Sequence, residues 1–229
     1  HIWHDWIFLN LNGKAKKFSD YAKPLIKKFE NVDFKKLKYA ATLDFGKINS
    51  NWKFLIENFI EPYHVQFVHK TTTNQPLKDH YTIVDGICYG SGINVKEEDE
   101  KNSNALSVTS RYLSLFPNFI IANYFPNQIG VYLNVPISPG ETIQKRIIYT
   151  SDGKNMTEEE SNTAKKIWWS VHKEDHKICE RLQEGRSSPA SDQGGLLSPH
   201  WEKGVQAFQK LIINATMKSS KLKKGRKNV

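Results

Sequence analysis

Apolar positions along this chain change period twice, and the changes mark out its elements. Between residues 81 and 150 they recur at every second position, the pattern of strands with one buried face. Five strands are predicted there, at 81–89, 106–113, 118–124, 130–135 and 143–150, separated by Gly, Pro, Asn and Asp. No helical stretch lies between them, so they predict an antiparallel meander. On either side the spacing lengthens to three and four. Trp52, Ile56, Phe59 and Tyr63 predict a helix over 51–67. Ala164, Trp168, Val171, Asp175, Ile178 and Leu182 form one stripe of a long helix. Thr157-Glu158-Glu159-Glu160 is a capping box that opens this helix, and Gly185 is placed to end it. After a loop over 185–197, Ser198-Pro199 starts a last helix with the stripe Trp201, Val205, Phe208, Leu211 and Ile212. Near the amino terminus, 6–11 reads as a strand, 20–29 as a short helix capped by Ser19 and interrupted by Pro24, and 38–45 as another strand. The expected architecture is α+β, with helices packed on one face of an antiparallel sheet.

One residue breaks the long stripe. Asp175 stands where a Leu is expected, and an unpaired carboxylate in such a place costs several kcal/mol unless a cation or proton compensates it. Lys173, Lys177 and Arg181 lie off the stripe, so a metal supplied by another part of the fold is the economical partner. The first helix offers ligands. His64 and His69 are five residues apart, a rotation of about 140° on a regular helix. Both can face one ion only if the helix is distorted, and a break, a 3₁₀ turn or a π-bulge is expected between Val65 and Val68. Two histidines and one carboxylate leave coordination positions open, which points to mononuclear non-haem iron. Glu61 lies three residues before His64, on the same side, and is able to orient its imidazole.

Other positions carry two readings each. His172 is one turn before Asp175 and is either a partner of the site or plain helix surface. His176 and Cys179 have metal-ligand spacing, yet an off-stripe polar histidine reads as solvent-facing. Trp168 and Trp169 fit a pocket wall or a packed core. The 70–74 segment fits a substrate gate or simple turn residues.

Asn51-Trp52-Lys53, Glu57-Asn58 and Glu61-x-Tyr63-His64-x₄-His69 together resemble the iron-site motif of Rieske non-haem iron oxygenase large (alpha) subunits, the ring-hydroxylating dioxygenases. Glu174-Asp175, Cys179-Glu180 and Gln183-x-Gly185-x-x-Ser188 are similar to a later motif of that family. The likeness runs from Trp3 to about Ile213. It implies a helix-grip domain, a curved antiparallel sheet wrapped around a long C-terminal helix. It also implies that His64, His69 and Asp175 bind mononuclear Fe(II), with O2 as co-substrate and Asn58 as a polar residue close to the metal. Glu61 falls on the carboxylate that bridges to a neighbouring subunit's 2Fe–2S Rieske cluster. A homotrimer, alone or with small beta subunits, and a ferredoxin or reductase as electron donor are implied too. The implied reaction is hydroxylation of an aromatic or related small organic substrate. The alternative is demethylation or hydroxylation of a quaternary ammonium compound, toward which Glu at position 61 and the many aromatics tilt. Helix-grip folds also serve as metal-free binding modules for small molecules, the rival from another class.

A Rieske cluster needs Cys-x-His and Cys-x-x-His pairs. Cys88 is followed by Tyr-Gly and Cys179 by Glu-Arg, so the cluster is expected in an N-terminal domain that this sequence lacks. The chain opens in a predicted strand, with neither an initiator Met nor a signal-peptide pattern, which also suggests a longer protein. With 229 residues, one catalytic domain over 1–215 followed by a basic, disordered tail over 216–229 is expected. The formal charge of +9 includes six basic residues from Lys218 to Lys227, and nine lysines crowd the 14–38 segment. That segment suits an acidic electron-transfer partner. The basic tail has neither aromatic interleaving nor a known motif, which makes a nucleic-acid binder a poor reading. No apolar run approaches the ~20 residues of a membrane span. Two cysteines are too few for a disulfide framework, which fits a reducing cytoplasm.

Overall fold

The computed structural model describes residues 1–73, 75–93 and 110–225. Its centre is a seven-stranded, wholly antiparallel sheet of β3 (Lys38–Ile48), β4 (His80–Asp85), β5 (Cys88–Ile93), β6 (Ser110–Leu115), β7 (Phe119–Tyr124), β8 (Gln128–Ser138) and β9 (Glu141–Thr150), in spatial order β3-β9-β8-β7-β6-β5-β4. The chain enters at one edge and crosses to the other through α3 (Trp52–Ile60) and α4 (Tyr63–Val68). It then meanders back until β9 pairs with β3. The long helix α5 (Glu158–Arg186) lies across the inner face, and α6 (Lys203–Gly225) packs against α3, β4 and β5. This is the α+β helix-grip arrangement.

The meander turns back once more than the apolar pattern indicated. The span 81–89 is two strands, because Asp85-Gly86 forms a hairpin turn with Gly86 at φ +60°. An Asp-Gly pair between alternating residues carries that signal. The start of the strand expected at 106–113 lies outside the described residues; the described part is β6. The strands at 118–124, 130–135 and 143–150 are present, the last two longer than expected.

Both faces of the sheet are covered, which corrects the expectation of helices on one face only. A two-strand hairpin, β1 (Ile2–Trp3) with β2 (Trp6–Ile7), and the short helices α1 (Phe18–Tyr21) and α2 (Lys23–Lys28) close the outer face. Leu25, Phe29, Trp3 and Trp6 pack there on Leu113, Ile121, Ile129 and Val131. Burial on both sides explains why β5 is buried at every position. The strand expected to reach Leu11 stops at Ile7, leaving Leu9 and Leu11 exposed; among the described residues no further strand supplies it with hydrogen bonds. Pro24 sits in the first turn of α2, where its missing N–H costs nothing, and Ser19 lies inside α1 without capping it.

The Thr157 capping box is present in both directions, with Glu160 N–H donating to Thr157 Oγ1 at 3.2 Å and Thr157 N–H to Glu160 Oε2 at 2.8 Å. Gly185 lies within the last turn of α5 instead of ending it. The final helix starts at Lys203, after a turn in which Ser198 Oγ accepts from Trp201 N–H at 3.1 Å. It continues to Gly225, past the boundary at 215 where a disordered tail was expected; residues 226–229 lie outside the described residues.

Two bulges in β3 shift its register on β9, one between Tyr39 and Ala41 and one between Asp44 and Gly46. The second leaves Phe45 as the extra residue, and its ring meets those of Trp169, His172 and His176 at 5.1, 4.4 and 5.1 Å. A bulge thereby aims a strand residue at the helix.

Gly90 is the tightest point of the sheet. Its φ is +156°, and a Cβ there would stand in the Tyr112 carbonyl of the neighbouring strand. Gly90→Ala must part β5 from β6, so the expected loss of stability is at least ~2 kcal/mol, read as a lowered denaturant midpoint. An unchanged midpoint would contradict this reading of the strand pair.

Candidate metal centre

The helix predicted over 51–67 is broken, but at Pro62 and not between Val65 and Val68. A proline disfavours helical angles in the residue before it, and Glu61 is extended at φ −104° and ψ 140°. α4 then runs regularly to Val68, and His69 caps it. No internal distortion is needed. His64 stands in the first turn and His69 at the far end of a six-residue helix, so both imidazoles lean toward the same point on α5 from opposite ends.

That point is Asp175. Its Oδ1 lies 3.1 Å from His69 Nε2 and 3.6 Å from His64 Nε2. Asn58 of α3 donates from Nδ2 to the same oxygen at 2.8 Å. One donor atom from each of His64, His69 and Asp175 falls within 4.8 Å of the others, the one such group of three among the described residues. Ligands bonded at ~2.1 Å to one ion lie ~3–3.5 Å from each other, so small rotations close this set around a cation.

Each imidazole is backed by its own carboxylate. Glu61 Oε1 is 2.7 Å from His64 Nδ1, and its Oε2 accepts from the His64 backbone N–H at 3.0 Å. Glu174 Oε2 is 2.7 Å from His69 Nδ1. Thr71 and Thr72 hold Glu174 through hydroxyl bonds of 3.1 and 2.7 Å. With Nδ1–H donated to a carboxylate, each Nε2 keeps its lone pair free for a metal. The 70–74 segment therefore has a positioning task at Thr71 and Thr72; Asn74 lies outside the described residues.

The electrostatics reflect a site built around positive charge. Burial disfavours charge on His64, but Glu61 and then Asp175 outweigh it and raise its pKa. His69 is likewise opposed by burial and lifted to about 9 by Asp175 and Glu174. Burial pushes the Asp175 carboxyl up, yet His69 and His64 hold it well below the usual range. Without a metal, protons on the imidazoles balance the carboxylate.

A cavity of about 90 Å³ opens beside these groups. Phe59, Tyr112, Tyr124, Tyr132 and Trp168 supply an aromatic wall, and His80 of β4 faces it with both ring nitrogens unpartnered among the described residues.

Several expectations about α5 need correction. The stripe bends away from Ile178 and Leu182 toward Cys179, which is fully buried, while Leu182 is exposed. His176 is not solvent-facing: its Nε2 bonds Gln144 Oε1 at 2.7 Å. His172 is not helix surface but buried against Arg146 and Tyr132, and burial followed by the Arg146 charge drives its pKa well down. Trp168 lines the cavity, whereas Trp169 is half-exposed over Phe45. Cys179 Sγ faces the Phe54 carbonyl and pairs with no metal ligand. The roles of Glu174, His80 and Arg146 were missed. Glu174 sits ~100° around the helix from Asp175, and only the docking of α4 on α5 shows that this flank meets His69.

Comparison with known proteins identifies the family. The catalytic domain of the ring hydroxylating alpha subunit matches residues 28–217. Chloroplastic choline monooxygenase of Atriplex hortensis is 25% identical over 213 residues, 90% of this chain and 48% of that protein. The Beta vulgaris enzyme is 26% identical over 176 residues, 75% of this chain and 38% of its own length. The chain thus spans about half the length of the curated relatives it matches. In fold it is similar to the quaternary ammonium Rieske monooxygenase CntA, with a TM-score of 0.72 at 18% identity over 89% of this chain and 57% of that one. Naphthalene 1,2-dioxygenase from Rhodococcus sp. follows with a TM-score of 0.57 at 14% identity, covering 79% and 52%. The chain belongs to the ring-hydroxylating oxygenase alpha-subunit family, as a catalytic domain.

Proposed function

We propose that residues 1–215 form the catalytic domain of a Rieske-type oxygenase, in which His64, His69 and Asp175 hold mononuclear Fe(II). The convergence of two carboxylate-backed Nε2 atoms on one buried carboxylate oxygen carries this reading. Ferrous iron held there would supply dioxygen activation for hydroxylation of a small organic substrate. The chain's own groups do the positioning. Asn58 fixes the Asp175 oxygen, Glu61 and Glu174 orient the imidazoles, and the aromatic wall excludes water and packs the substrate. Cys88 and Cys179 are buried free thiols, which suits a reducing compartment such as the cytoplasm. Neither sits in the pairing a Rieske cluster requires, so the 2Fe–2S cluster is assigned to residues outside these 229. Glu61 would face it across a subunit boundary of a trimer, with electrons from a ferredoxin or reductase. A second reading, oxidation of a quaternary ammonium compound, is supported by the relatives named for choline and quaternary ammonium substrates. Among the described residues no helix is long and apolar enough to cross a membrane.

Anaerobic reconstitution followed by metal analysis tests the centre. Wild type is expected to retain stoichiometric iron, and His64→Ala, His69→Ala and Asp175→Ala each to lose it with unchanged circular dichroism. Absence of iron from wild type would favour a metal-free binding module, and retention by all three variants would overturn the assignment of these ligands. Glu174→Gln keeps the ligands but weakens the backing of His69, and is expected to lower iron affinity about 10–100-fold.

The pH dependence has a definite sign. His69 is raised in the metal-free fold, so its stabilising effect is complete below about 6.5 and is lost as pH rises through about 9. Asp175 is depressed, so its contribution is present above 3.8 and is lost as pH falls through its lower folded value. Metal-free protein should therefore melt at progressively lower temperature from pH 6.5 to 9. Iron uptake must expel the imidazole protons, so iron affinity should rise over the same range. A flat metal-free melting profile would show that the imidazoles are not charged there.

A further inference from the structure

Behind the cavity wall lies a second charged group, and among the described residues it has no counter-ion. Arg146 of β9 is wholly buried, at 0% exposure. Its guanidinium carbon lies 3.2 Å from the Trp168 ring centre, 4.8 Å from that of Tyr124 and 5.0 Å from that of Tyr132. Gly130 makes room beneath it, since a Cβ there would come within 3.0 Å of Nη2. Three rings around a cation form an aromatic cage. This cage, of a kind that receives a ligand's ammonium group, is filled by the chain's own arginine.

Tyr124, Tyr132 and Trp168 also line the cavity, as does His172, whose Nε2 is 3.5 Å from Arg146 Nη1. Trp168 precedes Asp175 by two helical turns, about 10 Å along the axis, so the cage forms the end of the cavity remote from the metal centre. Among the described residues, only Nη1 of the guanidinium has a hydrogen-bond partner. It donates to the Tyr132 hydroxyl at 2.5 Å, which in turn shares a 2.6 Å bond with the Tyr124 hydroxyl. Nε and Nη2 are buried without a hydrogen-bond partner, and no carboxylate pairs with Arg146 among the described residues. A permanent cation buried in this state is costly, and a ligand that brings the opposite charge offsets the cost.

We propose that Arg146 sorts substrates by charge. The substrate of this cavity is a small organic carboxylate, and the guanidinium turns toward the cavity to pair with it through its unused N–H groups. A simple quaternary ammonium compound is rejected, because the cage already holds a like charge. This inference deepens the oxygenase reading and rests on it for the identity of the ligand as substrate.

Calorimetric titration with benzoate and with choline, on metal-free and on Fe(II)-loaded protein, tests it. Wild type is expected to bind benzoate at least tenfold more tightly than choline. Arg146→Gln should lose at least tenfold in benzoate affinity and gain affinity for choline, while Arg146→Lys, which keeps the charge, retains most of the benzoate preference. Iron content and circular dichroism verify that the variants are folded. If Arg146→Gln does not fold, the wild-type preference and the apolar Arg146→Met decide the matter. Choline binding to wild type as tightly as benzoate overturns the proposal. So does equal treatment of both probes by wild type and the charge-free variant, including binding of neither. Failure of the iron centre would appear separately, as loss of metal from wild type with the charge preference still measurable on metal-free protein.

Discussion

A carboxylate set into the seam between a long helix and the inner face of a sheet must be compensated, and the way Asp175 meets that requirement organises the centre. Its position on α5 follows from helical spacing alone, because Ala164, Trp168 and Val171 on the same stripe are buried against the sheet. Compensation comes from another element, α4, and α4 exists as a separate helix because Pro62 ends α3 one residue earlier. The proline does two things at once. It forces Glu61 into an extended conformation beside His64, and it sets the axis of α4 so that His64 and His69 both reach Asp175 Oδ1. His69, at φ −91° and ψ 36°, has left the helix, which frees its imidazole from the ~140° separation that five residues of regular helix impose.

The topology supplies the rest. β3 and β4 lie at opposite edges of the sheet, so the connection between them has to cross the inner face. α3 and α4 make that crossing and meet α5 on the way. The hairpin and short helices on the outer face, together with α6 against β4 and β5, hold the sheet from behind and from the side. The candidate ligands are thus carried on packed helices and their ends, and the Thr71–Thr72 turn reaches the site from a loop. Preorganisation of this kind lets ligand geometry persist before any cation arrives.

Much of this was legible in the residues. The period-two stretch marked the meander, the capping box marked the start of α5, and a lone carboxylate in an apolar stripe marked the seam where two histidines meet it. What could not be read depended on contacts between distant segments. The break in the first helix was expected for a sound geometric reason but placed too late, because His64 and His69 drew more weight than the proline beside them. Glu174 looked like one more charged helix residue, and only the approach of α4 turns it toward His69. His172 and His176 looked solvent-facing until the β3 bulge brought Phe45 over them. Arg146 follows Lys145 in β9, and nothing in the sequence sets it apart from an exposed strand residue. The glycine beneath it and the three surrounding rings are spread over three elements, β7, β8 and α5.

The charge state of the centre connects folding to metal binding. Two imidazolium groups carry the same +2 charge as a divalent cation between two neutral imidazoles. The metal-free fold therefore meets the charge requirement of Asp175 with protons, at nearly the same positions a metal would occupy. Exchange of protons for a cation leaves the net charge of the seam unchanged, so no repacking of the aromatic wall is required. Glu61 and Glu174 matter in both states, since each accepts the Nδ1–H whether Nε2 holds a proton or a metal. The carboxylates behind the imidazoles thus fix which nitrogen faces Asp175, and that choice makes two histidines on so short a helix usable as ligands at all.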